Sequence, residues 1–222
     1  MAELAETPSR IEPCLSENVP VEVADTLAAL TAAAERLSNR LHPSTVANLA
    51  DLVRIMNCYY SNLIEGHTTT PRDIERALEN DRDGEETRRN LQVEARTHIR
   101  VQRMIDRRYA EGTLPEPASA DFLRRLHREF YEEAPDAMLW VEGAGHRFRM
   151  EPGQFRTFPE QDVTVGRHIP PGSERVEDFM RYFEQRYRLA SMGKGGRIIA
   201  LAAAHHRLNY IHPFPDGNGR VS

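Results

Sequence analysis

Apolar residues return every three or four positions along most of the chain, so its elements read as helices. Leu27, Leu30, Ala34, Leu37 and Leu41 make a first stripe after Asp25. Val46, Leu49, Val53, Met56 and Tyr60 make a second after Ser44, in a helix expected to run to Glu65. It should stop at Gly66, which can take the left-handed backbone of a C′ residue. Thr70, Pro71 and Asp73 carry the N-cap, N1 and N3 signature of a capping box and open a third helix. Asp81 to Glu86, with Gly84, reads as a charged turn. Thr87 to Tyr109 reads as a long Arg-rich helix with Leu91, Ala95, Ile99 and Ile105 inward. The prolines at 115 and 117 end it, and Phe122, Leu126 and Phe130 mark another helix. The glycine-rich stretch from Pro135 to Pro171 breaks the helical rhythm. Its alternating Val163-Thr164-Val165 is the one place where β-structure is expected, as a hairpin or flap between about Pro152 and Pro171. Ser173 should cap a helix that buries Val176, Phe179, Met180, Phe183 and Tyr187. After the turn Gly193 to Gly196, Arg197 to Tyr210 forms the last complete helix. The fold class is mainly all-α.

Composition narrows the function more than the fold. With 222 residues, 40% hydrophobic and 28% charged, the chain suits a globular protein with a true core, not a collagen-like or low-complexity one. A formal charge of -5 gives no global attraction for nucleic acid. The basic residues are almost all arginine, with Lys194 the lone lysine, which reads as compositional bias. Cys14 and Cys58 form neither a C-x-x-C pair nor a disulfide framework. The first residues, with Glu3 and Glu6, lack the apolar stretch of a signal peptide. The longest apolar run, Ile198 to Ala204, is far too short to span a membrane. A reduced, soluble, cytoplasmic protein is expected. Its organisation reads as a mobile arm over 1–20, N-terminal helices over 21–110 and a second unit over 111–222.

The chemistry concentrates in Ile211-His212-Pro213-Phe214-Pro215-Asp216-Gly217-Asn218-Gly219-Arg220. Pro213 and Pro215 hold the backbone extended after the helix. Gly217, Asn218 and Gly219 can present backbone N–H groups without side-chain obstruction, and a helix starting near Arg220 would add its N-terminal dipole. Arg220 offers a fork for phosphate oxygens. Asp216 is a hard oxygen ligand suited to Mg²⁺ held between carboxylate and phosphates. His212 is the nearby group able to take a proton near neutral pH. Base, metal ligand, phosphate cradle and arginine together point to phosphoryl or nucleotidyl transfer. Phe214 should turn inward and anchor the loop.

These residues, His-Pro-Phe-x-Asp-Gly-Asn-Gly-Arg, resemble the signature of the Fic family, whose members are mostly protein adenylyltransferases. Ser61-Asn62-Leu63-Ile64-Glu65-Gly66 is similar to that family's inhibitory motif, Ser/Thr-x-x-x-Glu-Gly/Asn, and places Ser61 and Glu65 at i and i+4 of one helical face. Pro152 to Thr157 and Val163 to Pro171 resemble the family's flap, which aligns a target peptide by strand addition. The resemblance spans roughly Ser44 to Arg220. It implies a Fic-type helical bundle with one β-hairpin flap and an inhibitory helix over about 44–66. It also implies transfer of AMP from ATP to a Ser, Thr or Tyr hydroxyl of a target protein, with Mg²⁺ as cofactor and ATP as co-substrate. By the same resemblance, His212 is the general base, Asp216 the metal ligand, and Gly217, Asn218, Gly219 and Arg220 the phosphate-binding residues. Ser61, Glu65 and Gly66 are inhibitory, Glu65 holding the γ-phosphate out of register. In some relatives that glutamate also positions a water that removes AMP, so reversal belongs to the expectation, and a homodimer is compatible with it.

The family motif usually continues to a second arginine, the partner of the inhibitory glutamate, and Ser222 is the residue before it. The sequence therefore reads as a fragment incomplete within its catalytic motif, with the activity belonging to the intact protein. A rival reading is a regulatory protein that binds nucleotide with little turnover, or a related transferase of phosphate-containing groups. Other motifs carry less. Ser191-Met192-Gly193-Lys194 lacks the partners of a Ser-x-x-Lys enzyme, and Gly195 after Lys194 excludes a P-loop. His205-His206 reads as a core-edge pair, one of them supporting His212. The Arg88 to Arg108 helix, interrupted by Glu94 and Asp106, reads as a solvated face.

Overall fold

The computed structural model describes residues 7–11, 19–79, 86–143 and 145–222. Eight α-helices lie among them: α1 (Val21–Arg40), α2 (Pro43–Ile64), α3 (Pro71–Leu78), α4 (Glu86–Ala110), α5 (Ala120–Tyr131), α6 (Val176–Arg186), α7 (Lys194–Ile211) and α8 (Asn218–Val221). Two short strands, β1 (Trp140–Gly143) and β2 (His146–Arg149), pair antiparallel between α5 and α6. No helix among the described residues is long and apolar enough to cross a membrane. The charged turn expected at Asp81 to Glu86 falls on 80–85, outside the described residues, and Glu86 opens α4.

Local chemistry accounts for most helix ends. Thr70 Oγ1 accepts the Asp73 N–H at 3.3 Å while Asp73 Oδ2 accepts the Thr70 N–H at 2.9 Å, closing the capping box. Ser119 caps α5 through the Phe122 N–H. At the end of α2, the Gly66 N–H reaches the Leu63 carbonyl and the His67 N–H reaches the Asn62 carbonyl, with Gly66 at φ +82°. This is a Schellman termination, and it fixes where Glu65 can point. Ser173 behaves differently from the expected cap: its Oγ binds Asp162, and a single 3₁₀ turn precedes α6.

The main core joins α4, α5, α6, α7 and the loop before α8 through Val101, Phe122, Leu126, Phe179, Phe183, Leu208, Ile211 and Phe214. A second cluster, Cys58, Ile74, Ala95 and Ile99, sews α2 and α3 to the other side of α4. Burial pushes the Cys58 thiol up to about 12, with Glu94 reinforcing it, so this thiol is an inert packing group.

Four expectations change. α2 packs through Ile55, Cys58, Tyr59 and Asn62, while Val46, Leu49, Val53 and Tyr60 of the expected stripe face outward. α1 forms, but none of its residues is buried. The arm is not wholly loose: Pro8–Ile11 makes a 3₁₀ turn, Ile11 is fully buried, and the Tyr187 hydroxyl donates to its carbonyl at 3.1 Å. The hairpin lies upstream of its expected place, where Trp140, Val141 and Glu142 face Arg149, Phe148 and Arg147. Val165 and His168 are joined only as an isolated bridge.

Candidate active site

The loop after α7 is built around a buried aromatic stack. Phe214 is fully buried, with its ring 4.0 Å from His127 of α5 and 5.0 Å from Phe155. The Asn218 side chain then ties the loop to itself. Its Oδ1 accepts the Phe214 N–H at 2.9 Å and its Nδ2 donates to the Phe214 carbonyl at 2.8 Å. Asn218 therefore serves the loop as a brace through its side chain, leaving only its backbone for a ligand. Gly217 has φ +75°, and a Cβ there would lie 2.7 Å from the Tyr131 hydroxyl, so both backbone and space demand glycine. The N–H groups from Asn218 to Arg220 begin α8 and have no carbonyl one turn back within it.

Two buried side chains hold this loop from behind. Arg156, 1% exposed, spends all five N–H donors. Nε donates to the His212 carbonyl at 2.9 Å, Nη1 to Ser173 Oγ and Asp162 Oδ1, and Nη2 to the carbonyls of Pro171 and Ile211. Its backbone N–H adds a bond to the Pro213 carbonyl at 2.8 Å. His127 accepts the Gly153 N–H on Nδ1 at 2.8 Å, so its proton sits on Nε2 and is donated to the Asp216 carbonyl at 3.1 Å. Burial pushes His127 down to about 4 and keeps it in that neutral tautomer.

His212 follows α7 in the left-handed region, at φ 50° and ψ 59°. That turn brings it to a groove of about 780 Å³ with Glu142, Asp162, Val163, Thr164, Pro170 and Pro215 among its walls. Burial, then the Arg156 charge, pushes the imidazole down to about 4. It is therefore neutral and proton-accepting at physiological pH. His205 and His206 are both exposed, and His205 bonds the Ser222 carbonyl, so neither supports His212 as expected.

Asp216 and Arg220 meet one turn on. The Tyr131 hydroxyl donates to Asp216 Oδ2 at 2.5 Å and accepts from Arg220 Nη1 at 2.5 Å. Arg220 Nε lies 2.5 Å from Glu94 Oε1 on α4, and its Nη1 is 3.5 Å from Asp216 Oδ2. Burial would raise the Asp216 carboxyl, but Arg220, Tyr131 and the Gly217 N–H hold it below its usual value. Arg220, expected to offer its fork to phosphate, meets protein groups in this structure. Its guanidinium is turned inward and taken up by Glu94, Tyr131 and Asp216. Glu94, read from sequence as an interruption in a solvated face, is 8% exposed and faces this guanidinium.

The end of α2 reaches the same loop. Glu65 Oε1 lies so near Gly219 that a methyl group on that glycine would collide with it. The Ser61 carbonyl accepts the Glu65 N–H at 3.1 Å, which sets this residue at the helix end. His67 Nδ1 stands 3.8 Å from Glu94 Oε2. The structure thus brings Glu65 to the loop that carries His212, Asp216 and Gly219. For a cation the loop offers one carboxylate, Asp216, whose side chain is 46% exposed. No cluster of three metal-ligating side chains exists among the described residues. Arg156, His127, Tyr131 and Glu94 were not identified as site residues from sequence, because each is an isolated side chain on an element with ordinary patterning.

Comparison with known proteins agrees with this geometry. The Fic/DOC family profile matches residues 117–222. Over 78 residues, 35% of this chain, the sequence is 38% identical to protein adenylyltransferase Fic of Aedes aegypti and 40% identical to that of Drosophila melanogaster. The matched region spans 15% of each of those proteins. A Fic family protein from Desulfovibrio desulfuricans superposes on 92% of this chain and 55% of its own, with a TM-score of 0.64 and 17% identity. A Fic domain containing signaling protein from Bacteroides thetaiotaomicron does so over 90% and 67%, with a TM-score of 0.63 and 20% identity. Helical architecture, loop and sequence converge, and residues 117–222 of this chain form a Fic/DOC family domain.

Proposed function

We propose that the protein transfers AMP from ATP to a hydroxyl side chain of another protein. The observation that carries this reading is the pairing of a neutral His212 at a groove with a half-exposed Asp216 in one rigid loop. The names of its relatives, protein adenylyltransferase Fic, support it. His212 takes the proton of the incoming hydroxyl as the oxygen attacks the α-phosphorus. The bond from that phosphorus to the β-phosphate oxygen breaks, and pyrophosphate departs. The N–H groups from Asn218 to Arg220 face the phosphates, with Gly217 and Gly219 leaving room for close approach. Groove walls at Val163 and Thr164 offer backbone to an extended target segment.

Asp216 fits Mg²⁺ that takes its remaining ligands from phosphates and water, since its carboxylate is half-exposed and one or two carboxylates commonly hold such an ion beside a nucleotide. The ion, when bound, neutralises phosphate charge. Arg220 contributes from behind, through the position of Asp216. Glu65 restrains the reaction by occupying the space over Gly219. Incubating the protein with labelled ATP and cell lysate, wild type beside Glu65→Gly, tests this. Label on protein bands supports the transferase. Tight ATP binding with no label on any band in either protein contradicts it and favours a nucleotide-binding regulator.

A further inference from the structure

A two-pronged ion pair between Asp216 and the arginine four residues on would use both carboxylate oxygens. The structure prevents it. Arg220 is drawn away on its Nε side by Glu94 at 2.5 Å, and the Tyr131 hydroxyl stands between its Nη1 and Asp216 Oδ2. Arg220 reaches Asp216 with one nitrogen only, at 3.5 Å. The direction of the hydrogen bonds in this array has a single solution. A guanidinium can only donate and an ionised carboxylate can only accept. The phenol must therefore accept from Arg220 and donate to Asp216.

Resting on the reading of Asp216 as the cation ligand, we propose that Tyr131 and Glu94 are positioning residues that keep one Asp216 oxygen free for the divalent cation. Tyr131 occupies Oδ2 and fixes the plane of the carboxylate. Glu94 keeps Arg220 from closing over Oδ1. The two come from different helices, α5 and α4, so the carboxylate is oriented by the packing of the bundle and not by its own loop alone. Gly217 shows how closely this is built, since a Cβ there would meet Tyr131 Oη at 2.7 Å and Cε2 at 2.9 Å. The charges also suit a cation. Glu94 and Asp216 outnumber Arg220, so the array keeps a net negative charge beside the exposed edge of Asp216.

The test is divalent-cation binding by the full-length protein with a non-hydrolysable ATP analogue, followed with Mn²⁺ by electron paramagnetic resonance, together with transfer rates across a Mg²⁺ series. Partners behind a metal ligand typically change metal affinity 10- to 100-fold when removed. Tyr131→Phe, which keeps the ring and deletes the hydroxyl, should weaken Mn²⁺ binding by about that factor. Its transfer rate should recover as Mg²⁺ is raised, with the melting temperature nearly unchanged. Glu94→Gln should act in the same direction, and Glu94→Asp should restore part of the loss. If Glu94→Gln fails to fold, Tyr131→Phe alone decides. Undiminished Mn²⁺ affinity in folded Tyr131→Phe overturns the proposal when Asp216→Asn does weaken binding. Undiminished affinity in Asp216→Asn as well would overturn the metal assignment beneath it.

Discussion

His212 is the single non-glycine residue among those described with a positive φ, a backbone state that costs on the order of 1 kcal/mol or more. It persists because Arg156 grips the carbonyls of Ile211, His212 and Pro213 on either side of it. The ring is thereby delivered to the groove without depending on its own side-chain contacts. His212→Ala should lower transfer by about 10²- to 10⁴-fold while nucleotide affinity is kept, and a near wild-type rate would remove His212 as the base. Because burial and Arg156 push the imidazole down to about 4, the acid limb of kcat/KM should lie near that pH; a limb near 6.5 would mean the ring titrates as if in solvent. Glu65 poses a different question. Its side chain lies against Gly219, where a Cβ would collide with it. Glu65→Gly should raise labelling, self-modification included, by roughly 10²-fold, the scale at which a misplacement of about 1 Å acts, with little change in ATP affinity. Unchanged labelling in a folded variant would make Glu65 a simple helix end. The stretches that carry His212, Asp216 and Glu65 were open to reading as candidates because each stands inside a dense local pattern. Arg156 and Tyr131 were not, because their partners lie on other elements.

Elements with a local cause were the readable ones. The capping box of α3, the glycine stop of α2 and the four-residue spacing of Phe122, Leu126 and Phe130 in α5 each act within one or two turns. Which face of α2 packs was not readable, because that helix is apolar on several sides. The decision belongs to α4, whose Ala95 and Ile99 receive Cys58 and leave Val46, Leu49 and Val53 outside. The hairpin was misplaced for a related reason. Strands of four residues carry little alternation, and Trp140-Val141-Glu142 and Arg147-Phe148-Arg149 were overshadowed by the more conspicuous Val163-Thr164-Val165. The segment around Val163 is instead held by Arg156, which links the carbonyl of Pro171 and Asp162 to the end of α7. Arg156→Met would leave those buried carbonyls without donors and remove a buried cation from its network. It should destabilise the protein by about 3–5 kcal/mol, measurable in urea unfolding. A loss under about 1 kcal/mol would show that solvent reaches these groups and that the network is not what holds flap and loop together.

At the scale of the whole molecule, α4 is shared by both halves: Val101 belongs to the main core, Ala95 and Ile99 to the cluster under α2 and α3, and Glu94 to the ion pair with Arg220. The turn at Glu65 and Gly66 and the loop from His212 to Arg220 therefore meet over one common helix, a relation between distant stretches of chain that no local pattern encodes. The same packing gathers three depressed imidazoles, His98, His127 and His212, each pushed down to about 4 with burial the leading cause. Arg220 adds to the effect at His98 and His127, and Arg156 at His212. In the unfolded chain each would titrate near 6.5. Between those values the unfolded state binds more protons than the folded one, so stability rises with pH across that window. It is fully present above about 6.5 and is lost progressively as pH falls toward 4. For His127, which has no exposed surface, the loss is on the order of 2–3 kcal/mol, and neighbouring rings add to it incompletely. Asp216 has its folded pKa below 3.8, so its own loss of stabilisation comes mainly below about pH 4 and does not confuse the window. The melting temperature should fall steadily from pH 7 to pH 4.5, with the first decline near 6.5. A melting temperature that stays level to pH 4.5 would mean these imidazoles accept protons in the folded state, and the neutral His127 bridge between Gly153 and Asp216 would be wrong.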